Sequence, residues 1–322
     1  MGVQQATMRT VRFHEFGEPG HVLQLERAPV PDPGADRILV RVQACGVNPA
    51  DWALCRGLFP GRLPRGVGLE VSGAVAAIGV GVTDVAVGDL VLGTTDYAGT
   101  PSAGAADLAI MDHWTGVPDG LDLVEAAALP MAVQTAYIHL ESLGVKAGQT
   151  LVVNGAGTTV GFAAVQMALL RGARVIATAG DTNADRLRAL GAAVTPYGEG
   201  AADRIGALAG GPVDLVLDTA PPSGSLPGLV QAAGGDPRRV LTLSDMGGAA
   251  EVGARDTFHE EGLALRYDMH GQFAQLAAEG KFTIPVAQTF DLEDWRTALD
   301  VSLSGRARGK LVLLPGGVDA GR

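Results

Sequence analysis

The apolar positions along the chain change rhythm twice. In the first third they fall in short alternating or continuous runs: Val11-Arg12-Phe13, Ile38-Leu39-Val40-Arg41-Val42, and Val71-Ser72-Gly73-Ala74-Val75-Ala76-Ala77-Ile78-Gly79. Runs of this length, bounded by Gly, Pro and Asp, predict strands joined by turns. Gly88-Asp89-Leu90-Val91-Leu92-Gly93 predicts a turn leading into a further strand. Pro29, Pro31 and Pro33 form a breaker, and Gly57, Pro60, Gly61, Pro64, Gly66 and Gly68 mark a long irregular stretch. The first third is thus a sheet-and-loop domain, compatible with a small barrel.

Near Leu121 the period lengthens. Residues 124–143 are Ala-rich and helical in pattern, interrupted by Pro130. Strand and helix patterns then alternate. Strands are expected at 150–153, 174–178, 213–218 and 239–243, and helices at 162–170 and 185–190, the latter stopped by Gly191. Alternation at this spacing predicts a parallel, helix-covered sheet with right-handed crossovers, an α/β fold. Residues 290–303 read as helix and 309–314 as a strand that returns to the first domain.

Composition agrees with two domains of this kind. The chain has 322 residues, 47% of them hydrophobic, 18% charged, and 46 glycines that suit tight strand-to-helix turns. A net charge of −11 with no basic block excludes nucleic acid as a partner. With only Cys45 and Cys55, the chain lacks material for a disulfide framework or a cysteine-rich zinc site, and a reducing cytoplasmic setting is expected. The start, Met1-Gly2-Val3-Gln4-Gln5, lacks the pattern of a signal peptide. Residues 147–170 carry no charge over about the length of a membrane span, roughly 20 residues. Asn154, Gly155, Gly157, Thr158, Thr159 and Gly161 interrupt that run, so it predicts a buried strand, turn and helix, and no membrane contact.

The interruption is itself the main chemical signal. A strand, a glycine turn and a helix can hold a pyrophosphate, because missing side chains admit the phosphate and the helix end offers free N–H groups. Here Gly155, Ala156, Gly157, Thr158, Thr159, Val160 and Gly161 form that turn, with spacing Gly155-x-Gly157-x-x-x-Gly161 rather than the strict form. A packing turn is the competing reading; the order strand, turn, helix, second strand favours the cofactor. The second strand ends in Thr178-Ala179-Gly180, then Asp181. Small residues there leave room for a 2′-phosphate, and Arg186 stands where it could pair with one, which favours NADP(H) over NAD. Asp181 as a ribose ligand, and a solvated helix face for Arg186, are the competing readings.

Several motifs in order resemble the medium-chain dehydrogenase/reductase superfamily, in its zinc-independent quinone oxidoreductase branch. They are Gly46-Val47-Asn48-Pro49-Ala50-Asp51, Arg56-Gly57, Gly68-Leu69-Glu70-Val71-Ser72-Gly73, Gly88-Asp89-Leu90-Val91, Ala127-Ala128-Leu129-Pro130, Gln134-Thr135-Ala136-Tyr137 and the glycine turn. The resemblance implies a GroES-like β-barrel catalytic domain built from residues 1–122 and 285–322. A Rossmann doubly wound parallel sheet at 123–284 would be inserted into it. At the positions where zinc-dependent relatives bind catalytic metal, this chain has Asn48 and Leu69, which are not zinc ligands. No cysteine follows Cys55 to build the relatives' structural zinc lobe, so no metal is expected.

The resemblance further implies Asn48 and Asp51 on the nicotinamide side and Thr135 near the ring, the three candidate catalytic residues. For Asn48 and Asp51 a helix cap is the competing explanation. Tyr197 matches a position near the adenosine, and Ser244 and the segment ending at Lys310 match regions near the nicotinamide half. Trp52 stands where relatives often carry a Tyr, as an apolar wall or as core, and His139 is expected to be structural. Hydride transfer to a quinone or α,β-unsaturated carbonyl would follow, in a homodimer by family analogy. An enoyl-thioester reductase of a biosynthetic pathway is one alternative, and a dinucleotide-binding sensor or structural protein with little catalysis is another.

Overall fold

A computed structural model describes residues 6–316. Its chain contacts divide it into two compact units. One runs to Met131 and resumes at Tyr267; the other is Ala132–Arg266. The boundaries fall at 131/132 and 266/267. The physical reason is packing. The helix Leu123–Ala127 lies on barrel strands, and Met269–Ala278 lies on the strand Leu108–Gly116, so both stay with the barrel.

In chain order the strands are β1 (Thr7–Phe13), β2 (Gln24–Pro29), β3 (Ile38–Val47), β4 (Arg65–Gly66), β5 (Glu70–Ile78), β6 (Leu90–Thr95) and β7 (Leu108–Gly116). There follow β8 (Thr150–Asn154), β9 (Arg174–Thr178), β10 (Ala193–Thr195), β11 (Leu215–Asp218), β12 (Val240–Thr242) and β13 (Arg255–Asp256), then β14 (Val286–Asp291) and β15 (Lys310–Leu314).

In the first unit β3, β5, β6 and β7 pair in turn, and β7 returns to pair with β3, closing a small antiparallel barrel. Closure removes free strand edges. The returning strand β15 adds to β3 antiparallel, and β14 pairs with β15 in parallel. The core holds Phe13, Ile38, Val40, Val71, Val91 and Leu313, with Trp52 among them. Trp52 is 4% exposed and donates its indole N–H to Ser302 Oγ at 2.8 Å, so it belongs to the core.

The second unit is a six-stranded parallel sheet in the order β10-β9-β8-β11-β12-β13. Numbered within the unit this is 3-2-1-4-5-6, the order of a doubly wound dinucleotide-binding fold. The uncharged run resolves as β8, the turn and the helix Thr159–Leu170, which is buried from Gly161 to Ala168. Among the described residues no helix is long and apolar enough to cross a membrane. Pro130 opens the helix Pro130–Leu143 instead of interrupting one, as suits a residue whose missing N–H is needed least at the first turn.

The tail differs from expectation. Residues 286–291 form β14, and the helix covers only Trp295–Leu303. Val286, Thr289 and Phe290 are strand formers, and pairing with β15 draws them into the sheet.

Candidate functional site

In the second unit the strand order reverses between β8 and β11, and ligands of such sheets lie beyond the carboxyl ends at that point. A line of side-chain hydrogen bonds crosses four strands there. Thr178 Oγ1 donates to Asn154 Oδ1 (2.6 Å), Asn154 Nδ2 donates to Asp218 Oδ1 (2.8 Å), and Thr242 Oγ1 donates to Asp218 Oδ2 (2.7 Å). Burial pushes the Asp218 carboxyl up, against these donors. The line also anchors the turn, because Gly155 N–H donates to Thr178 Oγ1 at 3.0 Å.

The turn's glycines answer to geometry. Gly155 has φ +75°, a conformation that disfavours side chains, and a Cβ at Gly161 would meet Thr219 Oγ1 at 2.6 Å. Thr158 is the N-cap of the helix Thr159–Leu170. Its hydroxyl accepts from Gly161 N–H at 3.0 Å and donates to Thr219 Oγ1 at 3.1 Å. The side chain therefore folds back onto the helix end and leaves the N–H groups of Thr159 and Val160 without an acceptor among the described residues. Ala156 is buried, while Gly157, Thr159 and Val160 are partly exposed.

At the end of β9, Thr178, an expected cofactor residue, is fully buried and supports the turn from beneath. Gly180 caps the helix Asp181–Ala189, and the exposed Tyr197 ring leans over it, within 3.6 Å of where a Cβ would stand. Asp181 opens that helix, whereas Arg186 is exposed in its last turn. Ser244, just after β12, donates its hydroxyl to the Ala220 carbonyl and ties the two loops together. Thr135 lies in the helix Pro130–Leu143, its carbonyl 2.6 Å from His139 Nδ1. His139 Nε2 meets Thr257 Oγ1 at 2.7 Å, and burial lowers the imidazole's proton affinity, so it serves as a neutral structural link.

The first unit buries a second polar cluster. Asn48 ends the link between β3 and the helix Pro49–Cys55. Its Nδ2 donates to Glu70 Oε1 at 2.8 Å, and its Oδ1 accepts from Lys310 Nζ at 2.6 Å. Glu70 and Lys310 form an ion pair; Glu70 is 0% exposed and Lys310 1%. Glu70 Oε2 also accepts from Met131 N–H at 2.7 Å. Asp51 accepts from Asn48 N–H (2.8 Å) and Gly68 N–H (2.6 Å), and burial pushes its carboxyl up to about 6. Burial likewise pushes the Cys45 thiol up, which leaves it an unreactive packing group. His270 stands near Glu70 and is driven down to about 4 by burial, hence neutral.

The chain resembles known proteins over both units. Residues 34–140 match the alcohol dehydrogenase GroES-like domain, and residues 190–313 match the zinc-binding dehydrogenase model. The quinone oxidoreductase of Rattus norvegicus is 30% identical over 337 residues, spanning 98% of this chain and 100% of the relative. The chain belongs to the quinone oxidoreductase branch of the medium-chain dehydrogenase/reductase superfamily.

A second quinone oxidoreductase, from Lama guanicoe, is 38% identical over 193 residues. That match covers 58% of this chain, and the chain spans 57% of the length of that relative. A mycobacterial protein solved in complex with NADPH is 26% identical, with a TM-score of 0.80 over 96% of this chain and 100% of its own.

Zinc-binding members of the superfamily need sulfur, imidazole or carboxylate ligands. The matching positions here hold an amide locked between Lys310 and Glu70, and Leu69, buried at 5% exposure. An ammonium bonded to the amide does not fit a divalent cation. Among the described residues no three His, Cys, Asp or Glu side chains group as a metal would require.

The structure thus brings Asn48 and Asp51 together and sets Thr135 in the other unit. Lys310, expected at the cofactor, belongs to the first unit's buried cluster. Glu70 and Asp218 were missed as site residues. Each is an acid at the end of an apolar strand, Glu70 opening β5 and Asp218 closing β11, a placement that signals a buried partner.

Proposed function

We propose that this protein is an NADP(H)-dependent, zinc-independent oxidoreductase that delivers hydride to a quinone or α,β-unsaturated carbonyl. The observation that supports the reading is the Asn48–Glu70–Lys310 cluster, which surrounds Asn48, the position that the resemblance matches to a zinc ligand, with a buried ion pair. Without a Lewis acid, alcohol oxidation loses its route to an alkoxide, whereas conjugated acceptors delocalise the charge they gain. When bound, the reduced nicotinamide supplies the hydride.

The chain's own residues do the rest. The N–H groups of Thr159 and Val160 face the pyrophosphate, with Gly155, Ala156, Gly157 and Gly161 admitting it and Thr158 holding the helix end open. Gly180 and Tyr197 form the adenosine wall, and the small β9 terminus leaves room for a 2′-phosphate, with Arg186 as its cation and Asp181 as its competitor. Thr135 and Ser244 are assigned to the nicotinamide half. Asn48 offers an N–H to the oxygen that gains charge, and alignment plus exclusion of water accounts for the rate. We assign the protein to the cytoplasm as a homodimer.

The test is to incubate the pure protein with NADPH, then NADH, and a panel of quinones and enones. Turnover with NADPH, weaker with NADH, is expected. Tight cofactor binding with no turnover across the panel would leave the sensor reading in its place.

A further inference from the structure

An asparagine amide in a site has two orientations that differ by exchange of oxygen and nitrogen, and nothing in the side chain itself chooses between them. At Asn48 its neighbours choose. A lysine ammonium carries only donors, and an ionised carboxylate only accepts. Lys310 Nζ lies 2.6 Å from Oδ1 and Glu70 Oε1 lies 2.8 Å from Nδ2. Rotating the amide by half a turn would set donor against donor and acceptor against acceptor, inside a cluster where Glu70 and Lys310 are fully buried. Water cannot relieve such a mismatch there.

The two partners are fixed in turn. Glu70 opens β5 and is held through its second oxygen by the Met131 N–H, and Lys310 opens β15, which pairs with β3 beside it. Only one hydrogen of Nδ2 is consumed by Glu70, and Asn48 keeps 8% of its surface exposed.

We propose that Glu70 and Lys310 are a positioning pair that locks the Asn48 amide in one orientation, so that its second Nδ2 hydrogen is a donor of fixed direction for the substrate oxygen. The ammonium on Oδ1 also polarises the amide and strengthens that N–H as a donor. Neither residue touches the substrate; both act through Asn48. The inference rests on the reductase reading above.

The experiment compares wild type, Asn48→Ala, and the double variant Glu70→Gln with Lys310→Met. The double variant removes both charges together, which avoids stranding either one, and keeps side-chain length. Three readouts are taken: NADPH affinity by fluorescence titration, kcat and KM with the best acceptor, and the Asn48 side-chain amide signals by nitrogen-edited NMR. The expected result is a double variant that folds and binds NADPH as wild type does. Its kcat falls about tenfold to a hundredfold at nearly unchanged KM. Its Asn48 amide protons, distinct and slow to exchange in wild type, become averaged or fast to exchange. A double variant with wild-type kcat, while Asn48→Ala is impaired, overturns the positioning role and leaves the reductase reading standing. Full activity in Asn48→Ala instead overturns the donor role on which it rests. If wild type turns over no acceptor, the NMR comparison decides alone: an amide equally ordered and protected in the double variant overturns the proposal.

Discussion

Two asparagines sit at the two polar centres of this molecule, and each has its amide fixed by a carboxylate on the nitrogen side. Asn154 donates to Asp218, and Asn48 donates to Glu70. They differ in what faces the oxygen. For Asn154 it is the neutral hydroxyl of Thr178; for Asn48 it is the ammonium of Lys310. The first arrangement extends as a line of bonds across the edge of a parallel sheet and ends in Thr242, so its work is to hold strand ends and a turn in register. The second closes on itself as a charged knot with nearly no exposure. A sheet edge needs only satisfied hydrogen bonds. A buried ion pair is a costly way to obtain the same satisfaction, and its presence points to a task that neutral groups would do less well.

The comparison can be broken most sharply at its charged end. Lys310→Met alone should strand the Glu70 carboxylate and cost about 3–5 kcal/mol of stability, read from urea unfolding. A loss below about 1 kcal/mol would mean the pair is not buried as described. At the neutral end, Asp218→Asn presents an amide to donors from Asn154, Thr242 and the Ala220 N–H, so at least one bond is lost. About 1–3 kcal/mol of stability should go with it, and NADPH affinity should fall because the turn loses its anchor. Equal affinity in the variant would detach the line of bonds from cofactor binding.

Thr158→Ala removes an N-cap and should cost about 1 kcal/mol by thermal unfolding. Since the side chain is turned onto Gly161 and Thr219, NADPH affinity should change little. A separate effect concerns pH. Asp51 holds its proton to about pH 6 in the folded protein against an ordinary value of 3.8, so the native state binds the extra proton between these values. Its contribution to stability is therefore fully present at low pH and declines as pH rises from about 4 through about 6. Asp51→Asn should flatten that part of the curve; an unchanged slope would remove Asp51 as its source.

Much of this was legible in the residues. The parallel sheet follows from alternation of strand and helix patterns, and the glycine turn from its place between β8 and the helix Thr159–Leu170. The tail departs from its helical pattern at residues 290–291, where a strand pairing supplied by distant residues 310–314 overrides it. The site was legible only in part. Asn48 and Asp51 stand beside one another in a motif, but Lys310 reaches Asn48 across 262 positions, and nothing local in Gly309-Lys310-Leu311 announces it. Thr178 ends the second strand and is expected at the cofactor. Its burial depends on the neighbouring strands, which a single sequence does not display.

The central claim is hydride transfer without metal. The most direct measurement is NADPH oxidation by enzyme stripped with a strong chelator and shown by elemental analysis to carry no zinc, in the presence of its best quinone or enone. The expected result is a kcat equal to that of the untreated enzyme and no gain on adding zinc. Activity lost on stripping and restored by zinc would contradict it.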